Sequence, residues 1–180
     1  MGIEFKILDL IQELRTPAGD AAMCFITGLG NGGTIWILAA VVLLLIPKTR
    51  KSGVVLAAAL CVDAVLCNGI LKNLFCRMRP FDVNTAVQLL IAGPRDFSFP
   101  SGHTAVSFAA VTALYLSGPK KLWIPALILA CLIAFSRLYL YVHYPTDILG
   151  GMAVGIAAGC IAHRMFGRAE RMRKKDGAPD

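Results

Sequence analysis

The chain has 180 residues, of which 57% are hydrophobic and only 16% are charged, so its composition excludes an ordinary soluble domain. One membrane domain is the simplest organisation for this length. The formal net charge is +7, but the basic residues are grouped, and one such group follows the last apolar segment. This grouping is typical of the cytoplasmic flank of a membrane protein, and we therefore expect no nucleic-acid partner.

Residues 1–32 are predicted to form an amphipathic, interfacial N-terminal segment. Over residues 3–15, apolar side chains recur at helical spacing opposite charged ones, which predicts an amphipathic helix on the membrane surface or on the bundle. The stretch 17–33 contains Asp20, Asn31 and several glycines, which make it a poor membrane span. We expect a second interfacial segment there.

Residues 33–166 are predicted to form a transmembrane domain, and residues 167–180 a basic cytoplasmic tail. The predicted fold class is all-α, a polytopic transmembrane helix bundle of about five to six spans with the amphipathic helix at its N-terminus. Several apolar runs are shorter than the ~20 residues that cross a bilayer core. Five runs are counted, at about 33–47, 53–72, 102–117, 122–138 and 147–163.

The orientation of the spans follows from the basic residues that flank them. Basic groups come after the first, third and fifth spans, which share one side by alternation, and the positive-inside rule makes that side the cytoplasm. The C-terminus is therefore predicted to be cytoplasmic. Every polar cluster described next falls on the opposite, outward side. The basic groups are Lys48, Arg50 and Lys51, then Lys120 and Lys121, then the C-terminal tail.

The first polar cluster ends the second span. Lys72 and Arg79 are seven residues apart, which is two helical turns, so they share a face if the helix runs that far. Pro80 then ends the helix, because proline cannot continue the hydrogen-bond ladder. By itself this spacing also fits two cations that reach toward the membrane interface.

The second cluster, Pro100-Ser101-Gly102-His103, opens the third span. A helix that begins here presents unpaired backbone N–H groups, which attract anions. Ser101 adds a hydroxyl donor, and Gly102 allows a ligand oxygen to come close to the backbone. The alternative is a plain capping sequence in which His103 is incidental.

The third cluster lies between the fourth and fifth spans. Arg137 offers a planar fork that matches phosphate oxygens. A carboxylate at Asp147 is suited to hold the Nδ1 proton of His143 and to leave Nε2 free to attack. The alternative for Asp147 is that it only caps the last helix.

Together the clusters supply what the transfer of a phosphoryl group requires. They combine cations for a dianion, helix-start amides for its oxygens and two histidines, of which one can act as nucleophile and the other as acid. Asp82 and Asp96 lie on the same side, but their spacing does not suggest a metal cage. The six cysteines are interpreted as small packing residues. We therefore expect no metal and no cofactor.

With these residue types and spacings, the chain resembles the type 2 phosphatidic acid phosphatase superfamily. The resemblance implies a helical membrane bundle with metal-independent phosphatase chemistry at the outer membrane face. It also implies that His143 attacks phosphorus to form a phosphohistidine, that Asp147 orients it, and that His103 protonates the leaving group. The residues implied to hold the phosphate are Lys72, Arg79, Ser101, Gly102 and Arg137.

The expected function is hydrolysis of a lipid phosphate or diphosphate ester by a protein of the bacterial plasma membrane. Undecaprenyl diphosphate, phosphatidylglycerol phosphate and phosphatidic acid each present a phosphate on a long apolar tail, and the sequence does not separate them. The expected partners are this substrate and membrane lipids. The alternative is a non-catalytic membrane protein that binds or transports anionic lipid headgroups.

Other polar and small residues carry weaker expectations. Asp63 is predicted to face the bundle interior in a structural role. Arg77 and Arg95 are predicted to sit among lipid phosphates. Small residues on the last span favour close helix packing, either within the bundle or between subunits, which leaves a homo-oligomer through that span open. These small residues are Gly150, Gly151, Gly155 and Gly159.

Overall fold

The computed structural model describes residues 2–176, and over this range the chain is all-α. The end of the predicted basic tail, residues 177–180, lies outside the described residues, as does residue 1. The predicted all-α membrane bundle is confirmed. The described α-helices are α1 (Ile3–Glu13), α2 (Pro17–Gly30), α3 (Thr34–Leu45), α4 (Arg50–Asp63), α5 (Lys72–Phe75), α6 (Pro80–Val83), α7 (Gly102–Ser117), α8 (Trp123–Tyr139) and α9 (Pro145–Asp176).

Three stretches of the described residues are long and apolar enough to cross a membrane: Pro17–Leu45, Pro47–Val83 and Pro145–Arg173. Between the second and third stretches lie α7, with 16 residues, and α8, with 17. Both are shorter than the ~20 residues of a typical span. The count of five to six spans therefore stays a prediction.

The stretch 17–33 is expected to be interfacial, and its position relative to the membrane stays a prediction. It forms α2 and a short turn, and together with α3 it makes the first candidate span. Asp20, which argued against a span, bonds Nη2 of Arg15 at 2.9 Å and the hydroxyl of Tyr139 at 2.8 Å. Because its charge is paired, this carboxylate does not prevent the segment from packing on α8.

The centre of the bundle is α7, which packs against α4, α8 and α9. The contact with α9 is close because glycines of α9 face it. A Cβ atom on Gly151 would lie 2.7 Å from the carbonyl oxygen of Ser101, and one on Gly159 would lie 2.5 Å from Cβ of Thr112. The predicted small-residue face therefore packs within the bundle. An oligomer through the last span would have to use another face of α9.

A π-helical segment, Ala64–Leu71, joins α4 to α5. In an α-helix the nine steps from Asp63 to Lys72 make about two and a half turns, which would put the two side chains on opposite faces. The i→i+5 ladder of the π-helix shifts this register. Asp63 and Lys72 consequently line the same cavity.

Helical periodicity is not what relates Lys72 to Arg79. The helix ends at Phe75, Cys76 adopts a left-handed conformation with φ of 45°, and Arg79 is extended before Pro80. The two cations instead converge because the chain turns back on itself between α5 and α6. The shared helix face that their spacing allowed is therefore not formed. Both side chains nevertheless contact the same carboxylate, that of Asp96.

Candidate active site

A cavity of about 580 Å³ brings the three sequence clusters together. One part of its wall is apolar and comes from α3 and α4, with Ile37, Val41, Leu44 and Leu60 among its residues. The other part is polar. Of the predicted site residues, those that line the cavity are Lys72, Arg79, Gly102, His103, Arg137 and His143.

His143 lies in the loop between α8 and α9 and is fully buried. Its Nε2 is 3.2 Å from Nη1 of Arg79, and its Nδ1 is 3.3 Å from Oδ2 of Asp147. A guanidinium can only donate, so Nε2 must carry the lone pair and Nδ1 the proton. Burial lowers the pKa of His143 to about 3, an effect larger than the opposing one of Asp147. The imidazole is therefore neutral near pH 7.

Asp147 lies in the first turn of α9 and makes both of the contacts that its sequence position suggested. Its Oδ2 accepts hydrogen bonds from the backbone N–H of Tyr144 at 2.8 Å and from the hydroxyl of Ser98 at 2.5 Å, and it faces Nδ1 of His143. Capping and orientation of the histidine are therefore not alternatives, because one carboxylate oxygen does both.

Arg77 does not sit among lipid phosphates, so that prediction is wrong. Its Nη1 donates to Oδ1 of Asp147 at 2.6 Å, and its Nη2 donates to Oε2 of Glu4 at 2.6 Å. Its guanidinium also stacks on the ring of Tyr144, 3.9 Å from the centroid. Arg77 thus links α1 to the carboxylate behind His143. Arg95, by contrast, is exposed.

Asp96 is a carboxylate that pairs with two of the cations that line the cavity. It bonds Nζ of Lys72 through one oxygen and Nη2 of Arg79, at 2.7 Å, through the other. Burial raises the pKa of Asp96, but the bonds to Lys72 and Arg79 outweigh it and hold that pKa at about 2. The spacing of Asp96 does not suggest a metal cage, and no pattern in the sequence links it to these cations.

Arg137 projects from the end of α8 and is 2% exposed. Its Nη1 donates to the hydroxyl oxygen of Thr27 in α2 at 2.5 Å. Its Nε is buried without a hydrogen-bond partner among the described residues. A buried donor without a partner is costly, so this N–H suits an anion that enters the cavity.

The start of α7 carries the remaining predicted residues. Ser101 is fully buried behind the cavity wall, where its N–H donates to the carbonyl of Asp147 at 3.0 Å. A Cβ atom on Gly102 would lie 3.7 Å from Nζ of Lys72, so this glycine keeps the backbone accessible beside the cation. Nε2 of His103 is 3.0 Å from Oδ1 of Asn31, in the turn between α2 and α3.

The positive charge of the cavity comes from side chains. Among the described residues, the cations that line it are Lys72, Arg79 and Arg137. Over the same residues, His, Cys, Asp and Glu side chains do not form a cluster that could hold a metal ion. The arrangement suits a phosphate group, because forks and ammonium groups are the usual protein partners of phosphate oxygens.

Comparison with known proteins gives a consistent picture. Residues 51–171 match the family model of the PAP2 superfamily. An undecaprenyl-diphosphatase from Sulfolobus acidocaldarius is 31% identical over 155 residues, which cover 86% of this chain and 74% of that protein. The crystal structure of Aquifex aeolicus LpxE has a TM-score of 0.77 and 27% identity, and the match covers 91% of this chain and 96% of that chain.

A second solved structure is similar over most of its length. It is a transmembrane PAP2 type phosphatidylglycerolphosphate phosphatase from Bacillus subtilis, with a TM-score of 0.72, 26% identity and coverage of 91% of this chain and 84% of that chain. The helical membrane bundle, the cationic cavity and these matches together define a lipid phosphatase of the membrane. The chain belongs to the PAP2 superfamily. The predicted family and enzyme class are confirmed, in preference to a non-catalytic headgroup binder.

Proposed function

We propose that the protein hydrolyses a lipid phosphate or diphosphate ester without a metal ion, through a phosphohistidine at the outer face of the membrane. The observation that carries the proposal is the state of His143. Its Nε2 bears the lone pair and lies beside Arg79, while its Nδ1 proton faces Asp147. A neutral imidazole held in this tautomer can act as a nucleophile once the N–H of Arg79 turns from Nε2 to an oxygen of the bound phosphate.

In the first step Nε2 of His143 attacks phosphorus. The P–N bond forms while the bond from phosphorus to the leaving oxygen breaks. A bound phosphate dianion favours the protonated form of His103, which then gives its proton to that oxygen. Asp147 stabilises the positive charge that develops on the imidazole of His143. The phosphate oxygens are held by Lys72, Arg79, Arg137 and the amides at the start of α7, with Gly102 leaving room for them and Ser101 bracing that turn from behind.

In the second step water attacks the phosphohistidine. His103, which lost its proton in the first step, takes a proton from this water while the P–N bond breaks. Orthophosphate leaves, and His143 returns to its neutral form with the lone pair on Nε2. The two histidines therefore end the cycle as they began it.

The apolar part of the cavity supports a lipid as substrate. A phosphate bound to the cations leaves its tail beside the wall formed by α3 and α4, where Ile37, Val41 and Leu44 lie. The relatives carry the names of an undecaprenyl-diphosphatase and a phosphatidylglycerolphosphate phosphatase. The candidate substrates are thus undecaprenyl diphosphate, phosphatidylglycerol phosphate and phosphatidic acid.

The proposed location is the bacterial inner membrane, with the site outside and the C-terminus in the cytoplasm. Lys51, before the second predicted span, forms an ion pair of 2.5 Å with Glu170 near the end of α9. This contact supports a common side for the basic turn near residue 50 and the end of α9. The positive-inside rule favours the cytoplasm for that side.

The direct test is to trap the phosphoenzyme with a substrate labelled on its terminal phosphate. Purified protein should acquire label that is lost in acid and retained in alkali, as a phosphohistidine is. His143→Ala should acquire none and should lose nearly all turnover. Asp82→Asn, which changes an exposed carboxylate of α6, serves as the matched control and should behave like the unmodified protein. Full turnover by His143→Ala would rule out this mechanism.

Turnover of the three candidate lipids, measured side by side in detergent micelles, identifies the substrate. The substrate with the highest kcat/KM is assigned, since this ratio measures discrimination between competing substrates. Saturable binding of all three without phosphate release would contradict the proposed function as a whole.

A further inference from the structure

Two of the cations that line the cavity, Lys72 and Arg79, form ion pairs with a carboxylate of the same chain. The Asp96 carboxylate bonds Nζ of Lys72 and, at 2.7 Å, Nη2 of Arg79. These are donors that the proposed function assigns to the substrate phosphate. Asp96 and a phosphate therefore compete for the same atoms.

The position of Asp96 allows its carboxylate to leave. Its side chain is 52% exposed, whereas those of Lys72 and Arg79 are 7% and 3% exposed. Arg79 also keeps other anchors, since its Nε donates to the carbonyl of Asp96 at 2.8 Å and its Nη1 to the carbonyl of Val142 at 2.7 Å. Movement of the carboxylate alone would leave the guanidinium in place.

A cationic cavity in a membrane meets many anions that are not substrates. Phosphodiester headgroups such as that of phosphatidylglycerol carry one negative charge, the same as the carboxylate of Asp96. Because Asp96 is tethered, it competes at a high effective concentration and has the advantage over a free monoanion. A terminal phosphate carries about −1.5 to −2 charges near pH 7, so it gains more from the same cations.

A third donor favours the terminal phosphate further. Arg137 lines the same cavity, and its buried Nε has no partner among the described residues. A terminal phosphate has three non-ester oxygens and can use Arg137 in addition to the two cations that Asp96 occupies. A phosphodiester has only two such oxygens and one charge to offer.

We propose that Asp96 is a resident counter-anion that makes the site selective for terminal phosphate groups over phosphodiester headgroups. The proposal rests on the proposed function to the extent that Lys72 and Arg79 bind the substrate phosphate. Asp96 gives way to a terminal phosphate and excludes the phosphodiester lipids that surround the enzyme. It thus adds a specificity-determining residue that lies outside the three sequence clusters.

The test compares Asp96→Asn, which removes the charge but keeps the size, with Asp82→Asn, which removes an exposed charge from α6. Turnover of a short-chain phosphatidic acid in detergent micelles is measured with dioctanoyl phosphatidylglycerol as inhibitor. In Asp96→Asn the inhibition constant should fall roughly two- to fivefold, which is the upper part of the range for loss of an exposed ion pair. It should be unchanged in Asp82→Asn, and Asp96→Glu should retain the discrimination.

The opposite role for Asp96 predicts the opposite result. If the carboxylate were needed to hold Lys72 and Arg79 in place, Asp96→Asn would raise the inhibition constant and lower kcat/KM for each substrate. An unchanged or raised inhibition constant overturns the proposal. The same applies if the Asn variant gains affinity for dioctanoylglycerol, which carries no phosphate, to the same extent as for phosphatidylglycerol.

A binding measurement separates this proposal from the proposed function. In a His143→Ala background, which lacks the proposed nucleophile, binding of dioctanoyl phosphatidylglycerol is followed by calorimetry with and without Asp96→Asn. Tighter binding in the double variant supports the counter-anion even if no lipid phosphate is turned over. Equal binding in the two proteins contradicts it even if the unmodified enzyme is an active phosphatase.

Discussion

His143 receives a different neighbour on each of its two ring nitrogens. Arg79 donates toward Nε2, and Asp147 faces the proton on Nδ1. Because burial lowers the pKa of His143 to about 3, both neighbours act on a neutral ring. The proposed nucleophile therefore does not have to lose a proton before it attacks.

The neutral state of His143 can be measured. We expect the imidazole nitrogens of His143 to keep the chemical shifts of the neutral Nδ1–H tautomer between pH 8 and pH 5 in ¹⁵N-histidine spectra. The lost signal in His143→Ala assigns the resonance. Because the folded pKa lies below the ordinary value of 6.5, the unfolded chain binds the proton more tightly, and this residue weakens the fold as the pH falls below about 6.5. A titration midpoint near 6.5 in the folded protein would contradict the assignment.

Arg77 bonds Asp147, and through this contact we expect it to act as a positioning residue for the proposed nucleophile. We expect Arg77→Gln to lower kcat roughly 10- to 100-fold with little change in KM, because it removes support behind the catalytic pair and leaves the phosphate cations intact. Glu4→Gln should have a smaller effect in the same direction, since Glu4 bonds Arg77 and not Asp147. Arg95→Gln removes an exposed arginine and serves as the control. A change in KM alone would indicate that Arg77 binds the headgroup.

The residues that sequence reasoning found and missed differ in a physical way. His143 and Asp147 are four residues apart, and Ser101, Gly102 and His103 are consecutive, so their relation is local and can be seen in the sequence. Other contacts of the site involve Asn31, Thr27 and Asp96, which come from other segments. Such contacts leave no periodic pattern along the chain. Asn31 contacts His103, Thr27 contacts Arg137, and Asp96 contacts both Lys72 and Arg79.

Among the helices, α7 and α9 set the relative position of the two proposed catalytic histidines. His103 lies in the first turn of α7, and His143 precedes α9. The N–H of Ser101 donates to the carbonyl of Asp147 at 3.0 Å, so the two helix starts are bonded directly. The glycine contact of α9 with α7 continues this fixed spacing along both helices.

Adding a methyl group at this contact should disturb the protein. A Cβ atom on Gly151 would lie 2.7 Å from the carbonyl oxygen of Ser101 and 3.3 Å from the amide nitrogen of Ala105, and backbone atoms cannot move aside locally. We expect Gly151→Ala to destabilise the protein by about 1–3 kcal/mol and to reduce activity. Gly167→Ala is the control on the same helix, since a Cβ there meets nothing within 4 Å. Thermal unfolding in detergent micelles, together with turnover, compares the two.

The helix α1 packs against the segment that carries His143. Leu8 is buried against Tyr141 and Tyr144, and Asp9 accepts a hydrogen bond from the hydroxyl of Tyr141 at 2.7 Å. Ile3 and Leu14, by contrast, are 71% and 70% exposed. The amphipathic pattern predicted this helix, but the pattern does not reveal which loop its polar residues contact.

For the whole molecule, the source of positive charge leads to a prediction about metal ions. Lys72, Arg79 and Arg137 line the cavity as fixed cations and are the proposed partners of the phosphate, so we expect turnover to persist in excess EDTA. Arg137→Ala should cost on the order of 10²-fold in kcat under the same conditions, by comparison with removal of one preorganised donor. If chelation abolished activity and Mg²⁺ restored it, the catalytic mechanism would depend on a metal ion.

Hydropathy predicts most of the helices of the fold, and the basic residues that flank them predict the orientation of the spans. The apolar runs identify α3, α4, α7, α8 and α9, and the motifs identify which helix ends meet. The role of α2 was not predictable, because Asp20 and the glycines of this segment resemble those of a surface loop. Asp20 bonds Arg15 and Tyr139, and these contacts explain how the segment belongs to the bundle.

The π-helical segment between Asp63 and Lys72 also bears on how the chain compares with its relatives. A π-helical turn is what results when one residue is inserted into an α-helix whose ends are fixed by packing. Relatives with a regular α-helix here should therefore align with a one-residue gap between residues 64 and 71. If the alignment omits that gap, the lysine of the relative that corresponds to Lys72 is aligned with a residue next to Lys72. An alignment of this helix by sequence alone would then misassign the proposed phosphate-binding lysine.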